Sequence, residues 1–128
     1  MKIYQPLPAW MVKISMHRGE IWLINLDPTN GAEIRRSRPA VIVNLDEIGV
    51  LPLRVIVPIT TWKKRYSKES WLLKIEPDME NGLDEPSAVD AFQIRSLSVD
   101  RFIRVIGKVD TEKLSAILEA VQIVFGFQ

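Results

Sequence analysis

The chain contains no cysteine and a single histidine, His17. The first absence excludes disulfides, thiolate nucleophiles and cysteine-ligated zinc, and it fits a reducing compartment. The second leaves no His-x-x-x-His pair, so a transition-metal cluster would have to be almost wholly carboxylate. A calcium loop is equally poorly supported, because Asp78-Met79-Glu80-Asn81-Gly82 lacks the EF-hand spacing and its terminal glutamate. No metal and no cofactor are expected. Long hydrophobic runs are missing too. None approaches the roughly 20 residues of a membrane helix, and Pro6, Pro8 and Lys13 interrupt the only stretch comparable to a signal-peptide apolar region. A cytoplasmic protein without a membrane partner is expected. Glycine is sparse, and no Walker or dinucleotide loop is present, which counts against nucleotide-dependent enzymes. There is no Gly-x-Ser-x-Gly elbow, and a serine hydrolase would have only His17 as its base.

What is present suits one compact domain: 128 residues, 47% hydrophobic, can bury one core but not two ordinary ones. Gly19 to Leu26 reads as a strand stopped by the turn residues Asp27-Pro28-Thr29-Asn30-Gly31. Pro39 to Leu45 and Leu53 to Ile59 are β-branched runs around Asp46-Glu47-Ile48-Gly49, the pattern of an antiparallel hairpin. Trp71 to Ile75, Ser87 to Ile94 and, after a turn-like stretch, Ile103 to Gly107 complete six predicted strands. Leu114, Ile117, Leu118, Val121 and Val124 then recur at helical spacing, with Asp110 as N-cap and Glu112 in the first turn. The fold predicted is mostly β with a C-terminal helix, a small barrel or sandwich. Phe125 and Phe127 extend the helix's apolar face beyond what one domain needs, which points to a homodimer.

The formal net charge is only +1, but the charges are segregated. Residues 34 to 68 hold Arg35, Arg36, Arg38, Arg54, Lys63, Lys64, Arg65 and Lys68 against Asp46 and Glu47, a local balance of +6. Residues 76 to 90 hold Glu76, Asp78, Glu80, Asp84, Glu85 and Asp90 with no base. The basic segment could neutralise nucleic-acid phosphates; the plainer alternative is two solvated loops lying side by side. Within the basic segment, Arg38 precedes Pro39, which restricts it to an extended conformation at a strand entrance. If residues 39–45 and 53–59 pair as a hairpin, their far ends put Arg38 beside Thr60. The plainer alternatives are an arginine paired with Glu33 or Asp27 and a hydroxyl capping a turn.

Three segments in order, Arg18-Gly19-Glu20-Ile21-Trp22, Arg38-Pro39-Ala40-Val41-Ile42-Val43 and Pro58-Ile59-Thr60, together with Phe92-Gln93-Ile94-Arg95-Ser96, resemble the MazF/PemK family of toxin endoribonucleases. The resemblance runs from about Met16 to the C-terminal helix. Residues 16–128 are therefore read as the toxin domain, and residues 1–15 as an N-terminal extension, disordered or upstream of the true start. It implies a dimeric SH3-like, CcdB-like β-barrel that cuts single-stranded mRNA without metal, through attack by the RNA's own 2′-hydroxyl to leave a 2′,3′-cyclic phosphate. It assigns Arg38 and Thr60 to cleavage, and Arg18, Gln93 and Arg95 to shaping the site or binding RNA. Trp62, Lys63, Lys64 and Arg65 combine aromatic faces with cations, as recognition of single-stranded RNA requires. A cognate antitoxin with a disordered acidic and apolar tail is the implied partner. One branch of the family carries a histidine after the Asp-Pro-Thr-x-Gly turn and an Arg-x-Asp pair before the glutamine; this chain has Ala32, Asp90 and Phe92 in those places. His17 adjoins the opening motif as a candidate proton acceptor, against the reading of an exposed residue at a strand start. A CcdB-like topoisomerase inhibitor and an inactive SH3-like binding module are the alternatives.

Overall fold

The computed structural model describes residues 16–48 and 51–127, so the extension read over residues 1–15 lies outside it. Seven strands form one sheet: β1 (Glu20–Asn25), β2 (Ser37–Ile42), β3 (Leu53–Thr61), β4 (Leu72–Ile75), β5 (Ser87–Asp90), β6 (Arg95–Ser98) and β7 (Phe102–Lys108). Every pairing among them is antiparallel. The spatial order is β4-β5-β3-β2-β1-β7, with β6 on β3 as well. The two ends of this order, β4 and β7, do not pair, so the barrel-like sheet predicted is present but is not closed. An α-helix, α1 (Thr111–Phe125), the only one among the described residues, follows.

The central strands read as unbroken apolar runs because both of their faces are buried. Alternation sends Ile24, Ala40, Ile42 and Ile56 into one core with Leu97 and Val99. It sends Ile21, Val41, Val57 and Ile59 into a second core with Ile75, Val89 and Ile117. The helix covers the second core. Asp110 accepts from Lys113 N at 2.8 Å as N-cap, as its position predicts. The helix ends where Gly126 turns left-handed, with φ +78°, and Phe127 N reaches back to Gln122 O at 2.9 Å. Ile117 is fully buried, whereas Phe125 and Phe127 stay 58% and 71% exposed.

Two expectations need correction. Ser87 to Ile94 is not one strand: Asp90 accepts from Phe92 N at 3.1 Å and turns the chain into one 3-10 turn over Ala91–Gln93. Residues 95–98, read as part of a turn-like stretch, form β6 on the edge of β3, which makes seven strands and not six. Only Leu97 is buried there, so the strand owes its conformation to its neighbour's free hydrogen-bonding edge and not to apolar alternation.

Candidate active site

The hairpin that the turn residues predict does form: Ala40 pairs with Pro58, Val41 with Val57 and Ile42 with Ile56. Val43 N donates to Val55 O at 2.9 Å, so odd-numbered residues of β2 and β3 carry the ladder bonds between them. Pro39 falls on that parity and has no N–H, and the β2–β3 pairing ends at Ala40 and Pro58. One more step of alternation returns to the same face and reaches Arg38 and Thr60, opposite one another in the continued register. Each is fixed on its outer side, Arg38 opposite Ile24 of β1 and Thr60 opposite Ala88 of β5.

The two carboxylates expected as partners of Arg38 each use one oxygen for another contact and form no ion pair with it. Asp27 accepts from Thr29 Oγ1 and Arg36 N, and Glu33 accepts from Asn30 N. Among the described residues Arg38 makes no ion pair. Arg36, two residues before it, holds φ at +69°, an uncommon conformation for a residue with a Cβ, at the mouth of β2.

Beside this pair lies an open cleft of about 410 Å³, lined in part by Ala32, Ile34, Pro58, Phe92 and Arg95. Its origin is in β3, whose outer edge pairs with β6 over residues 53–56 and with β5 over residues 59–61. Between those partners stands Pro58, whose missing N–H faces that edge, so no ladder bond is lost there. The chain crosses the gap through Ala91–Gln93. Gln93 is the staple of the crossing: Oε1 accepts from Ile34 N at 2.6 Å, and Nε2 donates to Asp90 Oδ2 at 3.1 Å and Ala32 O at 3.3 Å. Burial pushes the Asp90 carboxyl above its ordinary value, against the opposing hydrogen bonds from Phe92 N and Gln93. Arg95 donates through Nη1 to Leu26 O at 3.4 Å.

Trp62 follows β3 directly, its N–H donating to Pro86 O at 3.0 Å. Its ring meets Tyr66 edge-on at 5.9 Å and carries Lys74 Nζ at 5.3 Å, while Arg65 sits 5.4 Å from the centre of Tyr66. Lys63, Lys64 and Arg65 are exposed. They follow β3, and Arg35 and Arg36 precede β2, so both segments lie at the same end of the β2–β3 pair. The acidic segment touches this end through Thr61 Oγ1 on Glu85 at 2.8 Å. Its Asp78 instead joins Lys113 and Asp110 beside the helix.

Not every candidate residue lies here. Arg18 and His17 precede β1 at its other end, where Gly19 N donates to Ile42 O. The strand from Glu20 to Ile24, roughly 13 Å at about 3.3 Å per residue, and the turn at Arg18 and Gly19 separate Arg18 from Ile24, the partner of Arg38. Arg18 N donates to Asp46 at 2.8 Å, and His17 Nδ1 lies 3.7 Å from Glu20. Arg54, counted above among the available cations, is 2% exposed and donates to Met16 O at 3.2 Å and Leu53 O at 2.7 Å. Burial lowers its guanidinium's pKa, against the pull of Asp46. It is an internal strut. Sequence reasoning missed Pro58 and Ile34 as cleft walls; a proline inside an otherwise unbroken strand was the available signal.

The fold and the cleft define a small antiparallel β domain whose cation-rich edge suits a polyanionic chain. A profile described as PemK-like, MazF-like toxin of type II toxin-antitoxin system matches residues 17–125. The chain is 33% identical over 114 residues to Endoribonuclease MazF9 of Mycobacterium tuberculosis, covering 84% of this chain and 94% of that relative. The crystal structure of MazF from Deinococcus radiodurans superposes with a TM-score of 0.72 at 22% identity, covering 86% of this chain and 96% of that one. A mycobacterial endoribonuclease in complex with its cognate antitoxin superposes with a TM-score of 0.70 at 18% identity, covering 89% and 98%. The chain belongs to the PemK-like, MazF-like toxin family of type II toxin–antitoxin systems.

Proposed function

We propose that this toxin is a sequence-specific endoribonuclease that cuts single-stranded mRNA without a metal and leaves a 2′,3′-cyclic phosphate. In the reaction, the 2′-oxygen forms a bond to phosphorus as the bond to the 5′-oxygen breaks, and the proton lost by the first oxygen is balanced by one delivered to the second. The nucleophile comes from the RNA, so the protein's task is to hold the phosphate while negative charge builds on it. Arg38 and Thr60 are assigned that task. The observation that carries the reading is the β2–β3 register, which if continued past Ala40 and Pro58 brings Arg38 opposite Thr60, with Arg38 in no ion pair among the described residues. Arginine keeps its charge at any working pH, so Arg38 acts as a charge-stabilising fork and not as the proton acceptor.

The cations and aromatics of residues 62–66 and the loop ahead of β2 would grip the flanking nucleotides. Their exposure and charge also suit the acidic, apolar tail of a cognate antitoxin laid over the same edge. The exposed Phe125 and Phe127, with the exposed Ile103 and Val105 of β7, offer apolar surface for a homodimer. Among the described residues no helix is long and apolar enough to cross a membrane, and the reading places the protein in the cytoplasm with its mRNA substrate. The test is incubation of purified protein with a long single-stranded RNA in EDTA, with the new ends mapped. Discrete cuts ending in 2′,3′-cyclic phosphate support the reading. Intact RNA in the presence of folded protein overturns it.

A further inference from the structure

Phe92 has no internal task. It is 67% exposed, yet it stands on the rim of the cleft, immediately before the residue that staples the crossing. Its ring is braced edge-on by Trp71, with centroids 6.0 Å apart and an interplanar angle of 70°. The contact steadies the ring while leaving most of it exposed, and Asp90 holds its backbone N–H. Across the cleft lie Pro58, Ala32 and Ile34, and Arg95 lines the same space. The cleft thus has apolar walls, a held aromatic ring, and a cation at its margin.

Which polar groups remain to read an occupant follows from the hydrogen-bond accounting. The Gln93 amide is spent on Ile34 N, Ala32 O and Asp90. Arg95 commits one N–H to Leu26 O, and a guanidinium carries five. Glu33 accepts from Asn30 N with one oxygen and lines the cleft. A donor fork and a carboxylate on the margin of an apolar slot suit a flat heterocycle with both acceptors and donors on its edge. An aliphatic side chain of a protein partner would leave both groups unmatched. The unpaired Arg38 nearby favours an occupant attached to phosphate.

We infer that Phe92 is a specificity-determining residue: one unstacked base of the RNA lies against its ring in the cleft, with its edge offered to Arg95 and Glu33. The inference rests on the endoribonuclease reading, and its test separates the two. Wild type, Phe92→Ala, Phe92→Leu and Phe92→Tyr are assayed for cleavage of random-sequence single-stranded RNA, with the cut sites sequenced. They are also assayed for binding of 2-aminopurine-containing RNA by fluorescence quenching. Because Phe92 is exposed, all four should share one circular dichroism spectrum and melting profile.

Loss of one stacking aromatic is expected to weaken binding by roughly 5- to 150-fold, through KM more than kcat. Phe92→Ala should also relax the base preference at one position of the cleavage motif and leave the others unchanged, while Phe92→Tyr retains both. A Phe92→Ala protein with wild-type motif and rate overturns the inference. So does a Phe92→Leu protein equal to wild type, because apolar bulk would then suffice without stacking. If wild type cuts nothing yet quenches 2-aminopurine through Phe92, the base site stands and the nuclease reading falls. If wild type neither cuts nor quenches, both fall.

Discussion

Replacing Gln93 tests whether the cleft is held open by the hydrogen bonds described. In Gln93→Ala, Ile34 N loses its acceptor, and the buried Asp90 carboxylate loses the side-chain amide donor while keeping the backbone N–H groups of residues 92 and 93. The 3.3 Å contact to Ala32 O is long and exposed and contributes little. At about 1 kcal/mol for the first loss and about 1 to 2 kcal/mol for the charge-assisted second, the variant should be roughly 2 to 3 kcal/mol less stable. At roughly 4 °C per kcal/mol, Tm should fall by about 8 to 12 °C. Gln93→Glu sharpens the test. It keeps an acceptor for Ile34 N but turns a second carboxylate oxygen toward Asp90, whose own pKa burial already raises. Two carboxylates sharing one site push one proton affinity up. The folded variant then binds a proton more tightly than the unfolded chain, so its deficit against wild type is largest at pH 7. It shrinks as pH falls through the raised value toward about 4.3, where an unfolded glutamate titrates. Urea titrations of the three proteins at several pH values between 7 and 5 measure this. A Gln93→Ala variant within about 0.5 kcal/mol of wild type, or a Gln93→Glu deficit constant across those pH values, would refute the staple.

Arg38→Ala should retain wild-type Tm, because Arg38 makes no ion pair among the described residues, and should lower cleavage at least 10²- to 10³-fold, the effect of one charge-stabilising donor; gel assays on a defined RNA decide, and unchanged cleavage removes Arg38 from the site. The acid limb of the stability curve should involve Asp110 and Asp78. Each is held below the ordinary carboxylate range, chiefly by backbone N–H donors, from Lys113 for Asp110 and from Glu80 for Asp78. Their contribution is present above about pH 3.9 and is lost as pH falls through the depressed values. Asp110→Asn keeps a capping oxygen, so its deficit should close on acidification, and a gap independent of pH would count against the ion-pair account. Gly107→Ala should destabilise by about 1 to 3 kcal/mol or more, because an added Cβ would lie 2.6 Å from the Asn81 carbonyl carbon; an unchanged urea midpoint would show that the 78–82 turn yields freely.

How much was legible depended on whether a residue's neighbours in sequence decide its fate. The helix was legible because Asp110 and the apolar spacing from Leu114 to Val124 are local, and the observed cap and packing agree. The hairpin was legible for the same reason, as far as the pairing of Ala40 with Pro58. Strand β6 was not, since Arg95-Ser96-Leu97-Ser98 has one buried apolar residue and takes its conformation from β3. Arg54 was misjudged because local charge balance is blind to burial. Alternation puts it on the same face as Ile56, in the first core, where its donors reach main-chain carbonyls and Asp46 opposes the effect of burial.

The two prolines explain why the candidate site forms where it does. Pro39 points its missing N–H at β3 and ends the β2–β3 ladder, leaving Arg38 and Thr60 beyond the last bonded pair with their side chains at a strand mouth. Pro58 points its own toward the opposite edge of β3. The two strands that use that edge therefore divide around it, and the divided edge becomes the cleft. Elsewhere in the central strands, the donors that these residues lack would hold the ladders shut. A change of partner needs a segment to cross the gap, and that segment carries Phe92 and Gln93. The strand mouth at Arg38 and Thr60 and the cleft are therefore products of one constraint, the absence of two backbone N–H groups on opposite sides of one strand. Neither proline needs to touch an RNA to decide where it binds.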